Sequence, residues 1–142
     1  MARFAVLGAT SWGLTLTRLL AAHGDVTLLT RSSEEAAAIA FHRGVPRLPG
    51  LELPPSTDVV PAARPPESLA GIVLAVPAQR LAENLASLAV VRDVPVLSAA
   101  KGIEHETRRR MSEVIEAAGW PPALVTGLSG PNLAQAVPRG LP

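Results

Sequence analysis

Residues 8–13 combine two glycines with two hydroxyl side chains directly after a short apolar run. We call them the glycine turn. A dinucleotide-binding domain typically begins with a strand, a glycine turn and a helix. The N–H groups at the start of that helix can hold a pyrophosphate. Gly8 would allow the tight turn and Gly13 the close packing of helix on sheet. The same residues could also form a strand-to-helix turn that binds no ligand.

Residues 10–12 of this turn decide how it would bind. Thr10 stands where a middle glycine normally lets the pyrophosphate approach the backbone. Its hydroxyl could donate to a phosphate, or the loop could take a different course. Ser11 adds a second hydroxyl and Trp12 a large flat surface. Cofactor binding is therefore predicted for Gly8, Thr10, Ser11, Trp12 and Gly13.

Arg31 follows the second apolar run, with hydroxyls at Ser32 and Ser33 behind it. A domain specific for NAD usually carries an acidic residue at this point for the ribose 2′-OH, whereas an arginine accommodates the 2′-phosphate of NADP. The cation therefore predicts that NADP is favoured or at least tolerated. A solvated surface arginine is the alternative.

Lys101 comes just past the fifth apolar run, on the edge of the sheet expected to carry the glycine turn. The pattern places it at the start of a helix over 104–118, where a cation is unfavourable to the helix dipole. Such a lysine could polarise a carbonyl or bind an anion. It could equally be a surface lysine. Pro77 ends the fourth run and either bounds a ligand pocket or starts a helix.

The remaining reactive side chains show no spacing typical of a catalytic or metal site. The chain has no cysteine, and His23, His42 and His105 lie in polar surroundings without a second ligand at metal spacing. We expect solvated histidines and no metal site. Residues 108–110 are three consecutive arginines near glutamates, which indicates an exposed, ion-paired helix face.

Six apolar runs alternate with helical patterns, which predicts a doubly wound, mostly parallel α/β sheet of the Rossmann type in a single domain over 1–142. The runs are Arg3–Leu7, Val26–Thr30, Asp58–Val60, Gly71–Val76, Val94–Ser98 and Leu124–Gly127. Helices are expected over 12–22, 32–42, 78–89 and 104–118, with Ser32 and Glu35 as a capping box and Gly44 ending the second helix. Residues 44–66 hold seven of the fourteen prolines and predict a stiff loop.

The bulk composition limits the kind of protein. A chain of 142 residues, 48% hydrophobic and 3% aromatic, can bury an aliphatic core. Its net charge of +1 does not suggest nucleic acid. No apolar run approaches the about 20 residues of a membrane span, and no signal peptide is recognisable, so a cytoplasmic location is expected. The new element that begins near Pro131 predicts a second domain absent from the chain.

Five segments together resemble the N-terminal domain of bacterial NAD(P)-dependent glycerol-3-phosphate dehydrogenases. They are Val6–Gly13, Leu48–Pro54, Val76–Gln79, Ser98–Glu104 and Leu128–Ala134. The resemblance implies interconversion of dihydroxyacetone phosphate and sn-glycerol 3-phosphate with NAD(P)H, for glycerophospholipid synthesis, by a full-length protein that could be a homodimer.

The resemblance also implies residue roles. Ser11, Trp12, Arg31 and Ala134 would line the cofactor, Lys101 would touch both cofactor and substrate, and Gly130 and Asn132 would contact the substrate. The family has glycine at the position of Thr10. Its acid/base lysine lies in a helical C-terminal domain, so this segment alone is expected to bind nucleotide without turnover. Another hydroxy-acid dehydrogenase or a non-catalytic nucleotide-sensing module remain alternatives.

Overall fold

The apolar runs form one parallel sheet in the computed structural model, which describes residues 2–90, 92–130 and 137. The strands are β1 (Arg3–Leu7), β2 (Asp25–Thr30), β3 (Asp58–Pro61), β4 (Gly71–Leu74), β5 (Val96–Ser98) and β6 (Val125–Gly127). The α-helices are α1 (Ser11–Ala21), α2 (Ser33–His42), α3 (Leu81–Ser87) and α4 (Met111–Ala117). The predicted doubly wound α/β fold is confirmed.

The strand order is β3-β2-β1-β4-β5-β6, and every neighbouring pair is parallel. The chain winds outward from β1 in one direction and then from β4 in the other. The carboxyl ends of β1 and β4 therefore border the crevice in which ligands of open α/β sheets bind. Pro61 lies in the outermost strand β3, where a missing N–H is tolerated.

Both faces of the sheet are buried, which explains why the central strands are apolar throughout rather than alternating. Val6 and Val73 contribute to one core with residues of α1 and α2. Leu7 and Leu74, their neighbours along the strands, contribute to a second core with residues of α3 and α4. This two-sided packing fixes the edge from which the glycine turn projects.

Two helix boundaries differ from the sequence prediction for local reasons. Helix α2 ends at His42, and the capping residue Arg43 takes the left-handed conformation (φ 54°) expected of Gly44. The Arg43 guanidinium donates to the carbonyls of Leu53, Pro54 and Thr57, so it holds the proline-rich loop against the helix end. The predicted helix over 78–89 begins with a 3-10 turn, Ala78–Arg80.

The largest correction concerns residues 104–110, which are not helical. Ile103 and Arg110 form an antiparallel bridge, and Arg108 between them is left-handed (φ 59°). The Glu104 N–H donates to the carbonyl of Arg109 at 2.9 Å. Residues 104–110 therefore form a closed loop, and α4 starts only at Met111. The arginine run is not on a helix face, although Arg110 pairs with Glu113 of α4 at 3.3 Å.

Candidate functional site

The two glycines of the glycine turn lie where a side chain has no room. Gly8 has a φ of +113°, and a Cβ there would lie 2.8 Å from the carbonyl oxygen of Ala75. A Cβ on Gly13 would lie 1.9 Å from the carbonyl oxygen of Gly8. The turn thus passes close to the end of β4 and directly under the first turn of α1, as its sequence spacing predicts.

Thr10 is the N-cap of α1, and its hydroxyl is fully engaged. The Oγ1 atom accepts a hydrogen bond from the Gly13 N–H at 3.0 Å and donates to the Ala75 carbonyl at 2.7 Å. The backbone is extended, with φ −78° and ψ 167°, so this position does not require glycine. The N–H groups of Ser11 and Trp12, the next two residues, make no hydrogen bond to the described residues.

A pocket of about 350 Å³ opens beside this cap and is called the inner pocket. Its lining comes from the glycine turn and from the carboxyl ends of β4 and β5: Thr10, Trp12, Ala75, Val76, Pro77, Ala78, Ala99, Ala100 and Lys101. The Trp12 Nε1 atom is buried and has no hydrogen-bond partner within the described part of the chain. The pocket therefore contains an aromatic side chain and one cation.

A second, larger cavity of about 590 Å³ adjoins the inner pocket and is called the outer groove. It is lined by Leu7, Gly8, Ala9, Thr10, Leu29, Arg31, Glu35, Arg47, Ala62, Val76, Pro77, Arg80, Glu83, Asn84 and Ser87. Thr10, Val76 and Pro77 line both cavities. Together the two cavities follow the crevice between β1 and β4 from the lysine to the arginines.

The charges of the outer groove are partly paired. The Arg31 side chain is 81% exposed, and its Nε lies 3.6 Å from Glu35. Glu35 also accepts a hydrogen bond from the Arg31 backbone N–H at 3.1 Å, rather than from Ser32 as a complete capping box would require. The other half of the box is present, because the Ser32 hydroxyl accepts from the Glu35 N–H at 3.2 Å.

Arg47 is a groove residue that the sequence analysis missed. Its guanidinium reaches from the proline-rich loop to the carbonyl oxygen of Ala9, in the glycine turn. Within the described residues it makes no ion pair with a carboxylate. Glu35 was also missed as a groove residue, although its distance from the glycine turn suits an acidic residue near a ribose. Nothing in the sequence near Arg47 could have revealed so distant a contact.

Lys101 reaches across to the segment that follows β6. Its Nζ donates to the carbonyl of Gly130, so two segments that are separate in the sequence meet at the inner pocket. Lys101 is exposed and is the single lysine among the thirteen basic residues of the chain. The presence of one lysine among many arginines is a signal in the sequence that also singles out Lys101. The predicted helix start near Lys101 is wrong, because Lys101 begins a loop and not a helix.

Gln79 holds the loop that carries Lys101. Its side-chain Nε2 donates to the carbonyl of Ile103 at 2.8 Å, and its Oε1 accepts from the His105 N–H at 2.9 Å. A single amide thus ties the segment after β4 to the segment after β5. The loop geometry near Lys101 is set by this contact and not by a helix start.

The remaining predicted residues are placed as follows. His23, His42 and His105 are exposed, and the described residues contain no group of three His, Asp or Glu side chains able to hold a metal ion. No helix in the described ranges is long and apolar enough to cross a membrane. Asn132 and Ala134, predicted to contact substrate and cofactor, lie outside the described residues.

Comparison with known proteins adds to this geometry. Residues 3–142 match the family described as NAD-dependent glycerol-3-phosphate dehydrogenase N-terminus. The chain is 42% identical to the glycerol-3-phosphate dehydrogenase (NAD(P)+) of Bradyrhizobium diazoefficiens, with 97% of this chain and 43% of that protein covered. The corresponding enzyme of Acidiphilium cryptum is 46% identical, with 98% and 42% covered.

A solved structure agrees in fold. The crystal structure of glycerol-3-phosphate dehydrogenase from Coxiella burnetii superposes with a TM-score of 0.83 at 26% identity, over 99% of this chain and 44% of that one. The chain therefore spans less than half the length of these relatives. The match over residues 3–142 shows that the chain belongs to the NAD-dependent glycerol-3-phosphate dehydrogenase N-terminal family.

Proposed function

We propose that this chain is the nucleotide-binding part of an enzyme that interconverts dihydroxyacetone phosphate and sn-glycerol 3-phosphate with NAD(P)H. The observation that carries the proposal is the meeting of Lys101 with the Gly130 carbonyl at the inner pocket. A pocket that only binds nucleotide does not require a lysine at this end of the crevice. The family relationship supplies the substrate class.

The crevice has the donors that a dinucleotide needs. Helix α1 carries no acidic residue in its first turn, and the Ser11 and Trp12 N–H groups make no hydrogen bond to the described residues, so both would be available to an anion. Arg31 and Arg47 supply charge along the outer groove. The inner pocket, lined by Trp12 and Lys101, would take the nicotinamide. When bound, the nicotinamide supplies the hydride.

The chain's own contribution to chemistry rests on Lys101. Negative charge develops on the carbonyl oxygen of a ketone as it is reduced, and a preorganised ammonium stabilises that charge. The Gly130 carbonyl accepts from Nζ and so fixes the direction of the side chain. Two of the three N–H donors of the ammonium remain for a ligand. Gly130, and Asn132 beyond the described residues, would contact the same substrate.

The groove contains opposing features for coenzyme choice. Arg31 is exposed and available to the 2′-phosphate of NADP, whereas the neighbouring Glu35 carboxylate would accept from the ribose 2′-OH of NAD. We therefore propose that the groove takes both coenzymes and that Arg31 holds the 2′-phosphate of NADP. We place Arg47 on the phosphates that both coenzymes share, because it reaches the glycine turn itself.

The test is an assay of the full-length protein. Dihydroxyacetone phosphate should be reduced with NADPH or NADH, while 2-oxo acids such as pyruvate should not. Turnover of a 2-oxo acid alone would support a hydroxy-acid dehydrogenase, and tight nucleotide binding without turnover of either substrate would support a sensing module. The 142-residue chain by itself should bind NAD(P)H and show no dehydrogenase rate.

A further inference from the structure

Thr10 lies at the boundary between the inner pocket and the outer groove. It lines both cavities, together with Val76 and Pro77 at the end of β4. A ligand that occupies only one of the cavities does not cross this boundary. A dinucleotide that extends from one to the other must pass over it, and the part that passes is the pyrophosphate.

The Thr10 side chain is fixed in this position. Its hydroxyl bridges the Ala75 carbonyl and the Gly13 N–H at 2.7 and 3.0 Å, and β-branching leaves few alternative rotamers. The ordinary φ of −78° means that the backbone does not strain to carry the side chain. The bridge closes the gap between the glycine turn and the end of β4.

Two consequences follow for a pyrophosphate. A middle glycine lets the phosphates approach the backbone, whereas here a branched side chain occupies that approach. The hydroxyl also takes up the Gly13 N–H, one of the amides at the start of α1. The described residues leave the Ser11 and Trp12 N–H groups for the ligand.

We propose that Thr10 sets how closely a dinucleotide approaches the glycine turn and thereby weakens NAD(P)(H) binding relative to ligands confined to one cavity. The proposal rests on the proposed function, since it assumes that NAD(P)(H) is the ligand. Thr10 would therefore determine the specificity of the site for a dinucleotide relative to a ligand confined to one cavity. Its volume limits the close approach, and its hydrogen bonds stabilise the ligand-free turn.

The experiment measures binding by titration calorimetry in the full-length protein with two ligands. NADPH crosses the boundary, whereas adenosine 2′-monophosphate carries the 2′-phosphate but has no pyrophosphate. Thr10→Gly should tighten NADPH binding by about tenfold, which corresponds to about 1.4 kcal/mol. Thr10→Ala should act in the same direction but less, because its Cβ remains. Both variants should bind adenosine 2′-monophosphate within about twofold of the unsubstituted protein.

Thr10→Val is the matched variant, because it keeps the branched volume and removes both hydrogen bonds. It should tighten NADPH binding less than Thr10→Gly does, because the branched volume remains, and it should melt at a lower temperature than the unsubstituted protein. NADPH affinity in Thr10→Gly equal to or weaker than that of the unsubstituted protein would overturn the inference. So would equal tightening by Thr10→Val and Thr10→Gly. Absence of NADPH binding in every protein would instead overturn the proposed function, and this inference with it.

Discussion

Arg92 lies between helix α3 and strand β5, and Arg31 directly follows strand β2; their guanidinium groups are used in opposite ways. Arg92 donates to the carbonyls of Leu85, Leu88 and Val90 at 2.6–3.2 Å and to that of Ala118 at 3.3 Å. Its Cζ lies 4.3 Å from the centre of the Trp120 ring. Arg31 is largely exposed and makes one ion pair at 3.6 Å.

The difference separates a structural region from the region that we propose binds ligand. Arg92 satisfies carbonyls at the C-terminal ends of α3 and α4, where cations are favourable. Burial lowers the pKa of Arg92, yet an arginine stays charged at neutral pH. Arg31, Arg47 and Lys101 at the carboxyl edge keep donors unused. Substitutions should therefore alter stability in the first region and ligand binding or catalysis in the second.

Lys101→Met gives the largest expected effect on function. Removing a preorganised donor to a developing oxyanion lowers kcat by about 10²–10³-fold in other enzymes, and we expect a loss of that size in kcat/KM for dihydroxyacetone phosphate. The free energy of unfolding should change little, because the side chain is exposed. Steady-state kinetics of the full-length protein and urea denaturation measure the two quantities.

Lys101→Arg is the matched control. It keeps the positive charge and should recover part of the lost activity, although the planar guanidinium cannot reproduce the ammonium geometry. Dihydroxyacetone phosphate reduction that survives Lys101→Met with less than about a threefold loss would remove Lys101 from the site.

Arg92→Met should give the converse result. Several carbonyls lose a charged donor at once, each such hydrogen bond being worth about 1.5–3 kcal/mol, but water can replace part of them. We expect a loss of about 2–4 kcal/mol in the free energy of unfolding. NADPH affinity should be unchanged. The paired variant Arg31→Met should lose less than about 0.5 kcal/mol in the free energy of unfolding. Equal losses in the two variants would contradict the structural role of Arg92 and the non-structural role of Arg31.

The sequence predicts the features of the fold that depend on neighbouring residues, and it fails for those that depend on distant contacts. Continuous apolar runs such as Ile72–Val76 predict buried strands because they are a local property of the sequence, and the burial of both faces of the sheet confirms them. The glycine turn is equally local, since Gly8 and Gly13 lie within one loop. These features required no knowledge of distant contacts.

Features that depend on distant or competing contacts could not be predicted. The residues over 104–118 have a helical pattern, but Ile103 pairs with Arg110 in the folded chain. This bridge forms only when the loop closes, so the local pattern could not predict that it would replace the first part of the helix. Arg47 contacts Ala9 across 38 residues of sequence. The engagement of the Thr10 hydroxyl likewise depends on Ala75, 65 residues away.

Arg31→Ala tests whether the exposed arginine selects NADP. A charge-assisted contact to a phosphate is worth about 1.5–3 kcal/mol, so NADPH affinity should fall about tenfold or more while NADH affinity stays the same. Titration calorimetry with both coenzymes measures this. An equal fall for NADH and NADPH would show that Arg31 does not contact the 2′-phosphate.

Arg47→Ala provides the contrast within the same groove. Because Arg47 reaches the glycine turn, its loss should weaken NADH and NADPH alike. Glu35→Gln should shift the preference further toward NADPH by removing a negative charge beside the 2′-phosphate. A change confined to NADPH in Arg47→Ala would place that arginine on the 2′-phosphate instead.

Glu113→Gln gives the smallest expected effect and belongs to the structural region. The Arg110 N–H donates to the Glu113 carboxylate at 2.8 Å, and this bond, with the Arg110 side chain, lowers the pKa of Glu113 below its usual 4.5. A lowered pKa in the folded state contributes stability above the unfolded-state pKa, which is lost as pH falls through the folded-state value. The variant should therefore melt slightly lower than the parent at pH 7, and the difference should shrink as the pH falls below 4.5 and disappear below the folded-state pKa. Glu116→Gln on the same helix is the control, since Glu116 makes no ion pair among the described residues. A Glu113→Gln difference that persists unchanged in acid would mean that carboxylate charge does not stabilise the start of α4.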